Sequence, residues 1–351
     1  MMRMTDYPIV TIAIPVLNEA ERLPGLLDAL RAQTWPRHAM QIIVADGGSD
    51  DDSVALARAA GRDFPDFEVI PNPGRIAAAG LNRALDMARG EFFVRLDARS
   101  RPAPDYLERC VAHLQEGEWA GVGGAQVAIG ASDAGRAIAL VLNHPLGAGS
   151  PKYRRTNVTG ESETIYLGAY WVDWLHRAGG WDEGFVANED YDLNTRLRKL
   201  GGRLLVAQDI RLMYIARDSL RALAKQYFRY GCWRAVTWRR HPRAMRWRHL
   251  LPALWLAGLV LGMALAPFAP WPLLALTLPY VLIISLTTAL LAVGRGWRLA
   301  PRIGLAFPTM HLCWGAGFWY SALMSSLSAF SVGPCARPHM RPDHIDESSR
   351  D

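Results

Sequence analysis

The chain has 351 residues, a formal net charge of +6, and a hydrophobic share of 50%. That length holds one large domain plus a further unit, and that share excludes a disordered or purely solvating chain. Its distribution also excludes an ordinary soluble protein, because Leu250 to Gly294 has no charged residue and Ile303 to Ala336 has none apart from His311 when protonated.

In chain order, strands and helices alternate. IVTIAIPV (9–16) is apolar and β-branched, and ERLPGLLDALRAQ (21–33) sets Leu23, Leu26, Leu27 and Leu30 at helical spacing. MQIIVAD (40–46) is a second buried strand, and SDDDSVALARAAG (49–61) starts on capping residues and ends on glycine, as a helix does. FEVIPN (67–72), RIAAAGLNRALDMARG (75–90) and EFFVRLD (91–97) repeat the alternation. This pattern predicts right-handed crossovers and an α/β fold with a mostly parallel sheet and flanking helices. GVGGAQVAIG (121–130) reads as a turn, and the lack of GxGxxG after the first strand argues against a dinucleotide.

The apolar runs predict a C-terminal bundle of three transmembrane helices, about 250–267, 272–293 and 303–326, each near the ~20 residues a bilayer core requires. Trp271, Trp297, Trp319 and Tyr320 include side chains suited to the interface belt. MMRMTDYPIVTIAIPV lacks the apolar core and cleavage site of a signal peptide, so the first 240 residues are expected to stay in the cytoplasm. Arg217 to His249 carries ten Lys or Arg against one Asp, and GRGWRLAPR adds three more arginines, which places both segments in the cytosol. This basic stretch accounts for the net charge without nucleic acid and suits anionic lipid headgroups. The organisation expected is 1–235 as the cytoplasmic catalytic domain, 236–249 as a basic juxtamembrane segment, 250–330 as the transmembrane region and 331–351 as a flexible tail. Cys110, Cys232, Cys313 and Cys335 have neither disulfide nor metal-ligand spacing and read as plain thiols.

Polar residues cluster where the strands end. Asn18 and Glu19 follow the first strand, Asp46 ends the second, Asn72 the third and Asp97 the fourth. Ligands of open parallel sheets bind outside the carboxyl ends of the strands, so this spacing predicts a site.

Six stretches then resemble, in order, the motifs of the family 2 glycosyltransferases: PVLNEAE (15–21), VADGGSDDD (44–52), NPGRIAAAGLNRAL (72–85), RLDARSRP (95–102), GGWDEGFVANEDYDLNTRLRKLGG (179–202) and QYFRY (226–230). The likeness covers roughly 9–235, and within the family it is nearest to bacterial exopolysaccharide glucosyltransferases of the succinoglycan type. The resemblance implies a GT-A fold, a nucleoside-diphosphate sugar donor, with a UDP-sugar first, and inversion at the anomeric carbon. It implies that Pro15, Asn18, Glu19 and Asp46 surround the nucleoside and that Arg75 faces phosphate. Asp97 takes the place of a ligand for Mg²⁺ or Mn²⁺, and Asp190 that of the base which removes the acceptor's proton. Glu189, Gly168 and Tyr230 fall on the acceptor side. Gln226 and Arg229 match the family's Gln-x-x-Arg-Trp signature, with Tyr230 in place of tryptophan, and put Arg229 at the leaving diphosphate.

The departure from the family pattern is Arg99, which stands where a second acid would complete the metal site. A guanidinium offers no lone pair to a cation. Either Asp97, phosphates and water hold the metal, as suits wet Mg²⁺ coordination, or Arg99 itself neutralises the diphosphate; a third alternative has Arg99 facing solvent or pairing with an acid. A retained but weakened metal is the expectation adopted.

The resulting expectation is a multi-pass enzyme of the bacterial inner membrane, its catalytic domain facing the cytoplasm. It would move a hexose to a lipid-linked or membrane-proximal saccharide in exopolysaccharide or cell-envelope glycan synthesis. A processive polysaccharide synthase is one alternative, although three spans offer little wall for a pore. A non-catalytic nucleotide-sugar-binding membrane protein is the other, and Asp190 and Arg229 argue against it.

Overall fold

The computed structural model describes residues 7–149, 151–244 and 249–327. Its first part follows the predicted alternation with trimmed ends: β1 (Val10–Val16), α1 (Leu23–Arg31), β2 (Met40–Asp46), α2 (Ser53–Gly61), β3 (Phe67–Pro71), α3 (Ala77–Asp86) and β4 (Phe92–Arg95). Leu23, Leu26, Leu27 and Leu30 form the fully buried stripe of α1. The chain continues through β5 (Ser100–Pro102), α4 (Tyr106–Glu116), β6 (Trp119–Ile129), α5 (Asp133–Leu142), α6 (Pro145–Ala148), β7 (Gly160–Glu161), β8 (Ala169–Trp171), α7 (Val172–Arg177), α8 (Glu189–Lys199) and β9 (Arg203–Ile215).

The strands form one sheet in the order β3-β2-β1-β4-β8-β6-β9-β5, with β7 also on β9. It is mixed rather than mostly parallel. β1 pairs in parallel with β2 and β4, but β8 enters antiparallel between β4 and β6, and β5 and β7 run antiparallel to β9. Alternate residues of β1 feed opposite faces, as period two requires. Ile12 and Ile14 pack with α1 and α4, while Ala13 packs with Leu81, Trp181 and Leu193 on the other face.

The stretch 121–130, expected as a turn, is instead most of the eleven-residue strand β6. Its glycines serve close approach: a Cβ on Gly124 would lie 1.8 Å from the Ile210 carbonyl oxygen, and one on Gly121 would lie 2.5 Å from Tyr170 Cδ1.

Helix α9 (Leu220–Arg240) follows, capped by Ser219, whose hydroxyl accepts from Ala222 N–H, and it runs unbroken past residue 235. Then come α10 (Leu251–Leu265), α11 (Trp271–Ala292) and α12 (Ala300–Leu327). Among the described residues only α11 is long and apolar enough to cross a membrane. Its 22 residues span ~33 Å, whereas the 15 residues of α10 span ~22 Å against a hydrocarbon core of ~30 Å.

Helix α12 is long, but it buries Ile303, Ala306, Phe307 and Met310 against α5 and α9. Gly317 meets the Phe228 carbonyl so closely that a Cβ there would fall 2.0 Å from its oxygen. The three expected apolar helices are therefore present, but the described residues contain one membrane-length span rather than three. On α10 and α11, Leu254, Leu261, Leu282 and Leu286 are more than half exposed, a continuous aliphatic face with no protein over it. Residues 245–248 of the basic segment and the expected tail 331–351, with Cys335, lie outside the described residues. Cys110, Cys232 and Cys313 form no disulfide among the described residues.

Candidate active site

The strand ends and the loops after them open a cleft of about 2060 Å³. It runs from Pro15, Asn18, Glu19 and Arg75, past Asp97 and Asp190, to Trp255, Tyr280 and Trp314 on the apolar helices. Arg99, Glu189, Gln226, Arg229 and Tyr230 also line it.

Two of the expected site residues sit elsewhere. Asp46 turns its carboxylate onto its own loop, accepting from Gly48 N–H (2.9 Å), Ser49 N–H (3.1 Å) and Ser49 Oγ (2.6 Å). Gly168 is buried just before β8, where its carbonyl accepts from Arg95 N–H at 3.2 Å.

On the strand-end side the loops are tightly shaped. Asn18 and Arg75 adopt left-handed backbone, with φ of 54° and 55°. Such conformations are unusual for bulky residues and mark a shape imposed by the surroundings. The Asn18 carboxamide oxygen accepts from Asp50 N–H at 2.8 Å, which locks the loop after β1 to the loop after β2. Glu19 is partly buried; that burial raises its pKa, opposed by Arg99 and Arg22, and its Oε2 has no hydrogen-bond partner.

The centre of the cleft is organised by Arg95, a residue the sequence reading passed over. It is 4% exposed and reaches three carboxylates: Asp190 Oδ1 from Nη1 (2.5 Å), Glu189 Oε1 from Nη2 (2.8 Å) and Asp97 Oδ1 from Nη2 (3.3 Å). Trp181 Nε1 also donates to Asp190 Oδ1 at 3.1 Å. Both bonds to Asp190 fall on Oδ1, and Oδ2 receives none among the described residues.

Burial pushes Asp190 up to about 6; Glu189 and Asp97 push the same way, and Arg95 pulls against them. Glu189 and Asp190 open α8, where the helix N-terminus favours negative charge. This arrangement yields a carboxylate held rigidly through one oxygen, with acidity close to neutrality, at the wall of a large cleft.

Arg99 does not face Asp97. Its Nε lies 3.7 Å from Glu19 Oε1, and Arg217 and Arg22 crowd it from the same side. Its Nε and Nη1 are buried without hydrogen-bond partners. No group of three potential metal ligands exists among the described residues. Asp97 is one-third exposed and its carboxylate is bonded through Oδ1 alone, which fits a cation held by a single protein carboxylate and otherwise by phosphate oxygens and water.

Gln226 is buried and donates from Nε2 to the hydroxyls of Tyr214 (3.1 Å) and Tyr230 (2.8 Å), while Arg229 is exposed in the cleft. Burial pushes the Tyr230 phenol up to about 12, so it stays protonated.

Residues 11–172 match the Glycosyl transferase family 2 profile. Succinoglycan biosynthesis protein ExoA of Rhizobium meliloti (strain 1021) is 32% identical over 322 residues, 89% of this chain and 94% of that protein. The chain belongs to the family 2 glycosyltransferases. It is accordingly a transferase of the glycosyl-transferring class. A second family 2 relative, the dolichyl N-acetyl-alpha-D-glucosaminyl phosphate 3-beta-D-2,3-diacetamido-2,3-dideoxy-beta-D-glucuronosyltransferase of Methanococcus voltae, is 25% identical over 230 residues, 63% of this chain and 71% of that one. The mannosyltransferase PcManGT of Pyrobaculum calidifontis, solved with GDP-Man and Mn²⁺, superposes over 93% of this chain and 89% of its own with a TM-score of 0.58 at 21% identity, which shows the GT-A fold.

Sequence reasoning missed several residues of this glycosyltransferase's cleft: Arg95, Trp181, Arg217, Tyr153, Arg154 and Arg234. Only Arg95 had a usable signal, a lone charge inside the apolar strand FFVRLD, where burial demands a partner.

Proposed function

We propose that the chain is an inverting hexosyltransferase that takes a hexose from a nucleoside-diphosphate sugar, a UDP-sugar, and transfers it to a lipid-linked saccharide. It works at the cytoplasmic face of the bacterial inner membrane, in exopolysaccharide or cell-envelope glycan synthesis. Residues 1–235 form the catalytic domain, 236–249 a basic collar, and 250–330 a multi-pass membrane region of three helices. The observation that carries this reading is Asp190, a base of near-neutral acidity in a cleft that continues onto the apolar helices.

In this reading the acceptor oxygen attacks the anomeric carbon and gives its proton to Asp190 Oδ2, while the bond to the donor phosphate breaks and the nucleoside diphosphate leaves with the electron pair. Arg95 and Trp181, both on Oδ1, fix the carboxylate before and after the transfer. The leaving diphosphate meets positive charge from Arg99, Arg217 and Arg229, which line the same cleft. Asp97 is the residue that would hold Mg²⁺ or Mn²⁺, and such an ion supplies further positive charge to the diphosphate. Glu19, Asn18 and Pro15 lie on the nucleoside side, with Arg75 toward phosphate. Glu189 and Tyr230 lie on the acceptor side.

The lipid-linked acceptor is supported by the cleft's continuation to Trp255, Tyr280 and Trp314, and by the lipid phosphate in the name of the Methanococcus relative. The test is transfer from a panel of UDP- and GDP-sugars, with membrane extract as acceptor, by the full chain and by Asp190→Asn. Inverted product from the wild type and none from the variant is the expected result. A retained anomeric configuration overturns the single-displacement reading.

A further inference from the structure

The cleft contains two partly buried arginines, each with one enclosed nitrogen, that the transfer chemistry leaves unused. Arg154 donates from Nη1 to the Leu142 carbonyl (3.1 Å) at the end of α5, its guanidinium lies 5.8 Å from the Tyr153 ring centroid, and its Nε is buried with no partner. Arg234, on α9, lies 4.5 Å over the Tyr191 ring, and its Nη1 is likewise buried with no hydrogen-bond partner. Tyr153 acts electrostatically on both. Neither has an ion-pair partner among the described residues.

Arginine does not deprotonate, so these are two fixed positive charges. Burial raises the phenols of Tyr166, Tyr227 and Tyr230, so the surrounding rings stay neutral and supply no compensating charge. An unpaired buried charge is costly, and the open cleft beside it is where an anion can enter.

The position of the pair decides which anion. Tyr191 and Asp190 both line the cleft, and Arg234 stacks on the Tyr191 ring. Arg154 hangs from the end of α5, next to α6, and the Leu146 carbonyl of α6 accepts from His311 Nε2 at 2.8 Å on α12. Gly231, about one turn before Arg234 on α9, abuts the Trp314 carbonyl, and α5, whose end Arg154 bonds, packs on α12, so both arginines sit on elements that meet the apolar helices. On its far side the cleft is walled by the Trp255 and Tyr280 rings, 4.3 Å apart, and by Trp314, with Tyr280 pinned through its hydroxyl to His311 Nδ1 at 2.9 Å.

We propose that Arg154 and Arg234 form an anion subsite for the phosphate or diphosphate that joins the acceptor saccharide to its lipid, with Trp255, Tyr280 and Trp314 receiving the first isoprenoid units. The proposal rests on the lipid-linked acceptor reading above. Planar guanidiniums match phosphate oxygens two at a time, and apolar aromatic faces match isoprene. The order along the cleft is then donor, anomeric carbon, Asp190, acceptor sugar, phosphate and lipid, which aims the sugar hydroxyl at the base.

The test measures binding to the full chain in detergent by calorimetry, with farnesyl diphosphate, farnesol, inorganic pyrophosphate and whichever of UDP or GDP the wild type binds. Arg154→Gln and Arg234→Gln should each weaken farnesyl diphosphate by about tenfold, leaving farnesol and the nucleotide within about twofold. Trp255→Ala should weaken farnesol and farnesyl diphosphate alike. Thermal unfolding matched to the wild type ensures that lost binding reports the site, and Arg234→Lys should retain part of the affinity.

Variants that hold farnesyl diphosphate as the wild type does overturn the subsite while leaving the lipid acceptor standing. A wild type that binds nucleotide but neither farnesyl compound removes the lipid acceptor, and the subsite with it. Pyrophosphate bound as tightly as farnesyl diphosphate assigns the arginines to a soluble phosphate, and a parallel loss of nucleotide assigns them to the donor. Either result overturns the proposal.

Discussion

Arg95→Met removes the one cation shared by Asp190, Glu189 and Asp97. Two unit charges about 4 Å apart interact by roughly 4 kcal/mol at an effective dielectric of 20, and an arginine beside an aspartate commonly lowers its pKa by about 1–3 units. The guanidinium contacts Asp190 at 2.5 Å inside the protein, so its loss belongs at the upper part of that range. Asp190 must be ionised to accept a proton, and it already stands at about 6 because of burial. Removing the opposing charge moves it further up, so activity is lost from the acid side. The acidic limb of kcat/KM should shift from about 6 to roughly 7–9, with kcat/KM near pH 7 falling by about 2- to 100-fold and recovering in alkali. Leaving three carboxylates without their partner should also lower stability by about 3–5 kcal/mol, seen as an earlier denaturant midpoint. Arg95→Lys, with a smaller reach, should fall between the two. A folded Arg95→Met whose acidic limb stays at about 6 refutes the reasoning, since Asp190 would then be tuned by something other than this ion pair.

Asp190→Asn should retain nucleotide binding and lose transfer by about 10²-fold or more, the usual worth of a positioned base; near-wild-type turnover sinks the assignment. Chelation should lower transfer, Mn²⁺ or Mg²⁺ should restore it, and Asp97→Asn should be more damaging than Arg99→Ala; full turnover in exhaustive chelator removes the cation from the reaction. Reporter fusions should place residue 240 and the 294–302 loop in the cytosol and fusions after 330 outside, and a cytosolic tail would mean that α10 or α12 lies within one face of the bilayer.

How much of this could be read in advance depended on burial. The strands β1 and β2 were legible because both of their faces are covered, so they read as unbroken apolar runs. Leu23, Leu26, Leu27 and Leu30 were legible because α1 buries one face. Strand β6 was misread because its glycines are selected by the proximity of Ile210 and Tyr170, far away in sequence, and not by turn geometry. The three-residue β8 carries too little pattern to announce itself, and with it went the mixed character of the sheet.

In the site, strand-end residues were visible because the fold rule says where to look. The carboxylate of Asp46, by contrast, closes its own turn. Arg154 and Arg234 come from segments with no common motif, and Tyr153 acts electrostatically on both. Helix α12 defeats a hydropathy reading for a related reason: its apolar side chains are divided between the catalytic body and the exterior.

Arg99 raises the question of how the proposed nucleotide-sugar site would work with an arginine where the family motif read from the sequence expects an acid. The second acid of such a site has one electrostatic purpose, to help hold a cation against the donor diphosphate. A guanidinium cannot hold the cation, but it carries charge of the same sign. Arg99 keeps two nitrogens unbonded inside the protein, 3.7 Å from a single acid and crowded by Arg217 and Arg22. Arg22 is paired by Glu21 and Asp218, whereas Arg99 faces Glu19 with two buried donors that lack acceptors, a cost that an anion would relieve. In the proposed function the donor diphosphate is such an anion. The Asp97 carboxylate is bonded through Oδ1 only, by Arg95. In the proposed function Arg99 would then carry on the chain itself part of the positive charge that an ion at Asp97 would otherwise supply alone.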